Sequence, residues 1–586
     1  MTLGRYLLLV DWSKASIEPV AARMQDRLQF QTRFADHDCI ILANDPGQLL
    51  AMPGERGMII GTVFPRHGPA SAIESSDRLW LEELDAPDPL TLLRDRFWGG
   101  YVGLDWQTGA LRLFRDPGGA MPCYYMALPT GWAVSSDAEM LVEAGLLSPR
   151  IDWAEMPRYL TSKDLPSGRT GIEGLMELLA GSCVTLGPTM SAPRQYWSPW
   201  DHLAECDGWD GDAMAERLRR TVDHCVASWA STGDRTLATL SGGLDSSVVV
   251  AGLARAKRDF QCATLVAGDR LGDEREYARA MAAHAGAELH EAHYDPDDVD
   301  LDRSVARHFP KPIGTLHETA FHAAIMRRTR ALGAAAVFTG NGGDSIFYNS
   351  SSVRPLFDFL RSRGPAFQAI TVFRNICEVT RSGRTAALRA VIRSIPAMRR
   401  PYVWRQNFAL LTDDLVTEMS SQPPSHPWLD VQPLGRPGKV GHVSHLLKVQ
   451  NHLEGYLRPY DMPMINPLMS QPVVELALGI PTWRMIEGGR DRAVVRKAYA
   501  QALPSIVRDR RRKGSPSGFA MDVLLRNAAE VRERLMDGEL ARRHLVHAER
   551  VAAVIPQARS SGHMYVRLLI LLDMEAWISH WRALGG

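Results

Sequence analysis

The 586 residues carry 67 lysines and arginines against 67 aspartates and glutamates, so charge alone implies neither a nucleic-acid nor a membrane partner. That length exceeds one ordinary core and sets an expectation of two or three domains. Seven scattered cysteines without a Cys-x-x-Cys pair read as reduced thiols, which argues against a disulfide frame or a zinc site. The opening MTLGRYLLLVDWSKAS has no small-residue cleavage pattern, and no apolar run reaches the ~20 residues of a spanning helix. A soluble, cytoplasmic chain is expected.

Residues 1 to about 200 read as short strands and turns: YLLLV (6–10), GMIIGTVF (57–64), YVGLDWQTGALRLFRD (101–116) and GWAVSS (131–136). The third is a hairpin signal, two alternating runs joined by Gln-Thr-Gly. DAEMLVEAGLL (137–147) has helical spacing, with Asp137 as its expected N-cap. A mixed, sheet-dominated first domain over 1–200 follows, ending near APRQYWSPWD (192–201). From GDAMAERLRRTVDHCVASWA (211–230) the texture changes to alternating helix and strand: TLATL, QCATLVAG, EREYARAMAAHAGA, then AAAVFTGNGGDSIF. That alternation argues a doubly wound parallel sheet in a second domain over 201–586, with a helical, Pro-broken extension beyond about residue 350.

LSGGLDSS (240–247) falls where one of these strands ends and a helix begins. Glycines there let successive backbone N–H groups close on an anion, and the helix start adds free donors and partial positive charge. Ser241, Ser246 and Ser247 add hydroxyls. The loop lacks the lysine of a G-x-x-x-x-G-K-[ST] motif, and Asp245 would repel phosphate unless Mg²⁺ lay between them. Pyrophosphate is the expected ligand.

This S-G-G-x-D-S loop resembles that of the ATP-pyrophosphatase enzymes, and the layout resembles asparagine synthetase, β-lactam synthetase and, most closely, the lasso-peptide macrocyclases, over nearly the whole chain. RLFRDPGGAMPCYY (112–125) resembles R-D-R-x-G-x-x-P-L-Y-Y near the end of a glutaminase-type domain, and TGIEGLMELLAGSCVTL (170–186) resembles the linker that follows it. FTGNGGDSIF (338–347) is similar to a second phosphate-side loop, G-x-G-x-D-E, with Ser345 in place of the usual Glu. The resemblance implies an Ntn-type α+β sandwich followed by the ATP-binding domain, and Asp245 and Asp344 as Mg²⁺ ligands. It further implies ATP contacts from Thr239, Leu240, Ser241, Gly242, Gly243, Leu244, Ser246, Ser247, Leu265, Val266, Gly340, Gly342 and Gly343. INPLMSQPVVELALGIPTW (465–483) and GGRDRAVVRKAYAQALPSIVRDRRRKGSPSGF (488–519) stand where the family recognises its acid and holds a lysine near the α-phosphate; that lysine is Lys513 here. Taken alone, Arg510 to Lys513 also reads as a solvated basic turn.

Two departures shape the expected reaction. The family's glutaminase begins Met-Cys-Gly-Ile, whereas this chain reads Thr2-Leu3-Gly4, and GTVFPRHG (61–68) replaces the glutamine-binding N-G-E-I-Y-N. An inactive glutaminase-like domain is expected, so an amine other than ammonia is needed. Asn341 stands three residues before Asp344, where a carboxylate or phenol base would act, and Asn cannot serve as a base. His317 and Glu318 are weaker candidates for that base. The resemblance implies macrolactam closure in a ribosomal precursor peptide: an Asp or Glu side chain is adenylated by Mg·ATP, then attacked by the peptide's N-terminal amine. A leader peptidase and a leader-recognition protein are the implied partners. A small-molecule amide synthetase, a ligase of two separate molecules and a non-catalytic nucleotide-binding regulator are the alternatives. The segment 350–460, with MRRPYVWRQNF (398–408), reads equally as a cavity wall or as ordinary helical packing with a basic face.

Overall fold

The structure, a computed structural model, describes the chain except for residues 1–3, 12–16, 29, 37–38, 46–48, 53–56, 75–76, 78–87, 108, 204–209, 267–271, 454, 512–513, 515–516, 558–563 and 586. It is a mixed α/β protein with three sheets. Two are six-stranded and antiparallel. In spatial order the first runs Met176–Glu177, Tyr124–Leu128, Gly131–Ser135, Tyr6–Asp11, Cys39–Ala43, Gln31–Asp36. The second runs Arg194–Gln195, Ser182–Leu186, Ala110–Arg115, Phe97–Gln107, Gly57–Pro65, Leu49–Ala51. The expected hairpin around Gln107 is present. Leu8, Val10 and Ile41 of the first sheet share one apolar layer with Ile60, Val102 and Leu104 of the second. Leu7 and Leu9, pointing the other way at a period of two, enter a different core. YLLLV is therefore apolar without alternation because both of its faces are buried.

The third sheet is parallel, in the order Leu289–His293, Asp259–Val266, Arg235–Thr239, Ala336–Phe338, Met464–Ile465. Ala238, Cys262 and Phe338 pack with the helices Leu244–Arg255 and Arg275–Ala285 on one face, and Leu237, Ala263 and Val337 with helix Glu318–Ala331 on the other. The sheet is thus doubly wound. Its order reverses between Arg235–Thr239 and Ala336–Phe338, the switch point where the strand ends open a crevice. The edge strand Met464–Ile465 arrives after a long helical excursion; two residues are too few to show a strand pattern in sequence.

Among the described residues, ionic contacts of Glu177, Glu475 and Asp137 join the sandwich to the parallel sheet's domain. Glu177 accepts from Arg115 Nη1 at 2.9 Å and from Lys311 Nζ at 2.7 Å. Burial works against its charge, but Lys311 and Arg115 outweigh it and its pKa is lowered. Glu475 receives Arg66 at 2.5 Å. Asp137 receives Arg458 Nε at 2.9 Å and Nη2 at 2.7 Å. This last pair corrects the expected N-cap: helix Ala138–Glu143 has no side-chain cap bond, because Arg458 and the Ser136 hydroxyl occupy the Asp137 carboxylate. The C-terminal helix Met564–Leu584 also crosses residue 200, since Leu568 and Trp577 belong to the core that holds Leu7 and Leu9. Among the described residues no helix is long and apolar enough to cross a membrane.

Candidate active site

At the switch point a cavity of about 830 Å³ opens over the ends of the two central strands. The first loop leaves Thr239, turns through Gly242 at φ +64° and enters helix Leu244–Arg255. It is organised by its own serines: the Gly243 N–H donates to Ser241 Oγ at 3.3 Å, and the Ser241 N–H to Ser246 Oγ at 3.3 Å. The second loop leaves Phe338, turns through Gly342 at φ +87° and enters the short helix Gly343–Ile346. The Thr339 hydroxyl accepts from the Asn341 N–H at 3.0 Å and donates to the Asn466 side-chain Oδ1 at 2.5 Å.

Missing side chains set the distance between the loops. A Cβ on Gly340 would collide with the Ser246 backbone nitrogen, and one on Gly343 with the Asp245 side chain. Asp245 and Asp344 therefore converge. Arg492 Nη1 bonds both Asp245 oxygens at 3.1 Å and Asp344 Oδ1 at 2.6 Å. Asn349 Nδ2 adds a bond to the same Asp344 oxygen at 3.0 Å. One point between two carboxylates thus already holds a positive charge, which is the arrangement a divalent cation requires. Asp245 and Asp344 converge there, and among the described residues no group of three or more His, Cys, Asp or Glu could hold a metal unaided. Phosphate and water oxygens would complete the shell of a Mg²⁺ ion here. The residues fit that ion.

Arg492 is not among the site residues expected from the sequence, although it ends the G-G-R-D-R stretch. It stands at φ +52°, after Gly488 and Gly489 (both at φ +66°), and directly before helix Ala493–Ala498. Burial opposes its charge, but Asp245, Asp344 and Asp491 outweigh it and raise the guanidinium pKa. The G-G-R-D-R pattern was the available signal, since two glycines before a charged run mark a turn that can aim a side chain backwards.

The other sequence candidates divide by position. Thr239, Leu240, Ser241, Gly243, Leu244, Ser246, Leu265, Gly340, Gly342 and Gly343 line the cavity with both aspartates. Gly242, Ser247 and Val266 do not line it. Gly242 is pressed against Tyr277, and Ser247 lies fully buried one turn inside the helix. Val266 is buried at the end of its strand. Lys513 lies outside the described residues. Both flanks of the Lys513 stretch are held at the cavity wall by Glu274, whose Oε1 accepts from Arg510 Nη2 at 2.5 Å and from the Gly514 N–H at 3.0 Å. Arg510 also stacks on Tyr277 at 3.9 Å, so this side chain is packed against the wall. His317 and Glu318 are not cavity residues. Burial pushes His317 down to about 4 and Glu318 upward. Asn341 lines the cavity, with its amide donating to the His452 carbonyl at 3.1 Å. MRRPYVWRQNF does not line the cavity, but residues 378–381 of the same helical extension do.

The asparagine synthase family matches residues 217–579, which contain both loops, Arg492 and Lys513. No match was found among curated proteins. Among solved structures, glutamine phosphoribosylpyrophosphate amidotransferase from B. subtilis, complexed with ADP and GMP, shares 10% identity at a TM-score of 0.21. That alignment covers 57% of this chain and 90% of the other. A second structure, described as the allosteric regulatory enzyme of purine biosynthesis, shares 11% identity at a TM-score of 0.20, covering 58% and 83%. Likenesses this distant carry no argument about this chain.

Proposed function

The chain belongs to the asparagine synthase family, and we propose that its ATP-dependent, AMP-forming amide chemistry closes a macrolactam in a ribosomally made peptide. The observation that carries this reading is the extent of the cavity. Besides the residues of the two loops it is lined by Tyr294, Phe321, Val449 and residues 378–381, so its lining extends past the residues assigned to the nucleotide. The absence of a base at Asn341 supports it, because a peptide α-amine with a pKa near 8 needs little help to lose its proton.

In this reading the first loop's N–H groups and the hydroxyls of Ser241 and Ser246 hold the β- and γ-phosphates. Asp245 and Asp344 would hold Mg²⁺, which would supply positive charge against the phosphates. Arg492 holds the paired carboxylates until nucleotide arrives, and is then placed to face the phosphates. A carboxylate oxygen of the peptide attacks the α-phosphorus, and pyrophosphate leaves with the electrons of the broken P–O bond. Lys513 stabilises the charge that develops there. The peptide's amine nitrogen then attacks the acyl carbon, AMP leaves, and the amine proton passes to solvent. The walls supply catalysis chiefly by holding amine and acyl carbon together, since a threaded tail must be in place before the ring closes. The sandwich is a retained scaffold without glutaminase activity, and the reaction takes place in the cytoplasm beside a leader peptidase and a leader-recognition protein.

The test is the intact mass of a candidate peptide incubated with this protein, the leader protease and Mg·ATP, with AMP and pyrophosphate followed in parallel. Loss of one water from the leader-free peptide, abolished by Lys513→Ala, is expected. An unchanged peptide, with pyrophosphate released only on addition of a free amino acid, would reassign the protein to the small-molecule synthetases.

A further inference from the structure

Residues 361–405 contain ten arginines and a single carboxylate, Glu378, in a chain whose overall charge is zero. They form helices Gln368–Thr380 and Arg384–Ser394 and the turn after them. With helix Arg354–Arg363 these make a lobe around a small core of its own, which includes Phe357, Phe359, Val372 and Ile376. The lobe's outer face is not polar. Leu388, Ile392 and Ile395 recur at i, i+4 and i+7, one stripe of a helix, and are 53%, 57% and 47% exposed. Phe367 and Ile370 at the start of the preceding helix are 82% and 63% exposed. Arg384, Arg389 and Arg393 flank the stripe, all exposed, and none forms an ion pair among the described residues. Large apolar side chains sharing one exposed helix face mark an interaction surface, and the surrounding charge states the sign of what binds.

The lobe is joined to the catalytic loops. Glu378 packs over Gly489, where a Cβ would collide with its carboxylate, and Gly489 precedes Arg492 by three residues. At the end of the same helix, Arg381, at φ +52°, donates to the Arg511 carbonyl at 3.0 Å, two residues before Lys513. One 13-residue helix therefore begins beside the exposed apolar residues and ends against both segments that carry the site's cations. Its length is about 20 Å.

We propose that this face is a docking surface for an acidic amphipathic helix on a partner polypeptide. The apolar stripe takes the partner's own i, i+4, i+7 residues, and its carboxylates meet Arg384, Arg389 and Arg393. A helical polypeptide suits the surface because the exposed apolar residues recur at helical spacing and are flanked by exposed arginines, which a facing helix of opposite charge complements along its length. The inference stands on charge and exposure, and does not depend on the substrate proposed above.

The test uses the full chain and a synthetic fluorescent helix of about 20 residues, with leucines at i, i+4 and i+7 and glutamates on the remaining turns. Binding by anisotropy at low salt is expected, at least tenfold weaker in Leu388→Asp/Ile392→Asp and in Arg389→Glu/Arg393→Glu. The interaction should weaken as ionic strength rises. Each altered side chain is exposed, so thermal unfolding of the variants should match the parent; a collapse would send the test to Ile395→Ser and Arg384→Gln, whose binding decides in the same way. Absence of binding at 100-fold lower salt than physiological, by about 1.5 mM ionic strength, or binding untouched by either double variant, would overturn the proposal. So would equal binding of the glutamine-for-glutamate helix. Sedimentation with phosphatidylglycerol vesicles, lost in the same variants while the peptide stays unbound, would reassign the face to a membrane. Concentration-dependent dimerisation lost in those variants would reassign it to a second copy of the chain.

Discussion

In the antiparallel sandwich, Gly99 and Gly100 lie inside a strand, where a Cβ on Gly99 would strike the Thr62 carbonyl and one on Gly100 would press on Ala120 and Trp229. In the parallel half, Gly242, Gly243, Gly340 and Gly343 lie where strands end and helices begin. Both sets remove a side chain so that two backbones can approach. In the strand the approach completes packing between elements, within the ladder that pairs Gly99 with Val63 and Gly100 with Thr62. At a strand-to-helix turn the first N–H groups of the helix have no ladder partner, so the same absence of side chains opens a binding site. Topology decides which use is made of glycine, through the sheet reversal that places two such turns side by side.

Several substitutions would break or sharpen this contrast. The largest effect is expected at the converged carboxylates: Asp245→Ala or Asp344→Ala should lower turnover by roughly 10²–10³-fold or more, with an unchanged circular-dichroism spectrum. Turnover within tenfold of the parent would remove the Mg²⁺ assignment. Arg458→Ala should cost about 3–5 kcal/mol of stability in denaturant unfolding, because it strands the buried Asp137 charge. A loss below about 1 kcal/mol would show that the pair does not hold the two halves together. Gly340→Ala should abolish nucleotide binding while costing about 1–3 kcal/mol, the overpacking range, whereas Gly99→Ala should lower stability and leave nucleotide affinity alone. Identical behaviour of the two would erase the distinction drawn above.

The smallest effect is on pH. Burial would raise the Asp137 pKa, but Arg458, Arg5 and the Ser136 hydroxyl pull it down to about 2. A depressed carboxyl stabilises the fold above its unfolded pKa of about 4, and that contribution is lost as pH falls through about 2. The pair should therefore contribute about 2 kcal/mol at neutral pH, and unfolding curves of Asp137→Asn should lose this part of the acid dependence.

Both glycine loops at the switch point were legible because glycine, serine and aspartate between a strand pattern and a helix pattern mark such a turn locally. So was the doubly wound sheet, from the alternation after residue 211. Arg492 was not, since its role depends on a left-handed turn that brings it back to carboxylates 247 and 148 residues away in sequence. Asp137 illustrates the opposite failure: its local pattern reads as a helix cap, and a guanidinium 321 residues distant outcompetes the backbone for it. Ser247 has the right type in the right motif, yet the helix rotates it into the core. The exposure of the 361–405 lobe was likewise hidden, because arginine-rich helices read the same whether they wall a cavity or face water.

The central claim is that the point now held by Arg492 between Asp245 and Asp344 is the cation position of a bound nucleotide. Calorimetric titration of a non-hydrolysable ATP analogue, in Mg²⁺ and again in EDTA, tests it directly. Binding that requires Mg²⁺ in the parent and is lost in Asp245→Asn is the expected result. Equal affinity in EDTA, or full affinity in the variant, would contradict it.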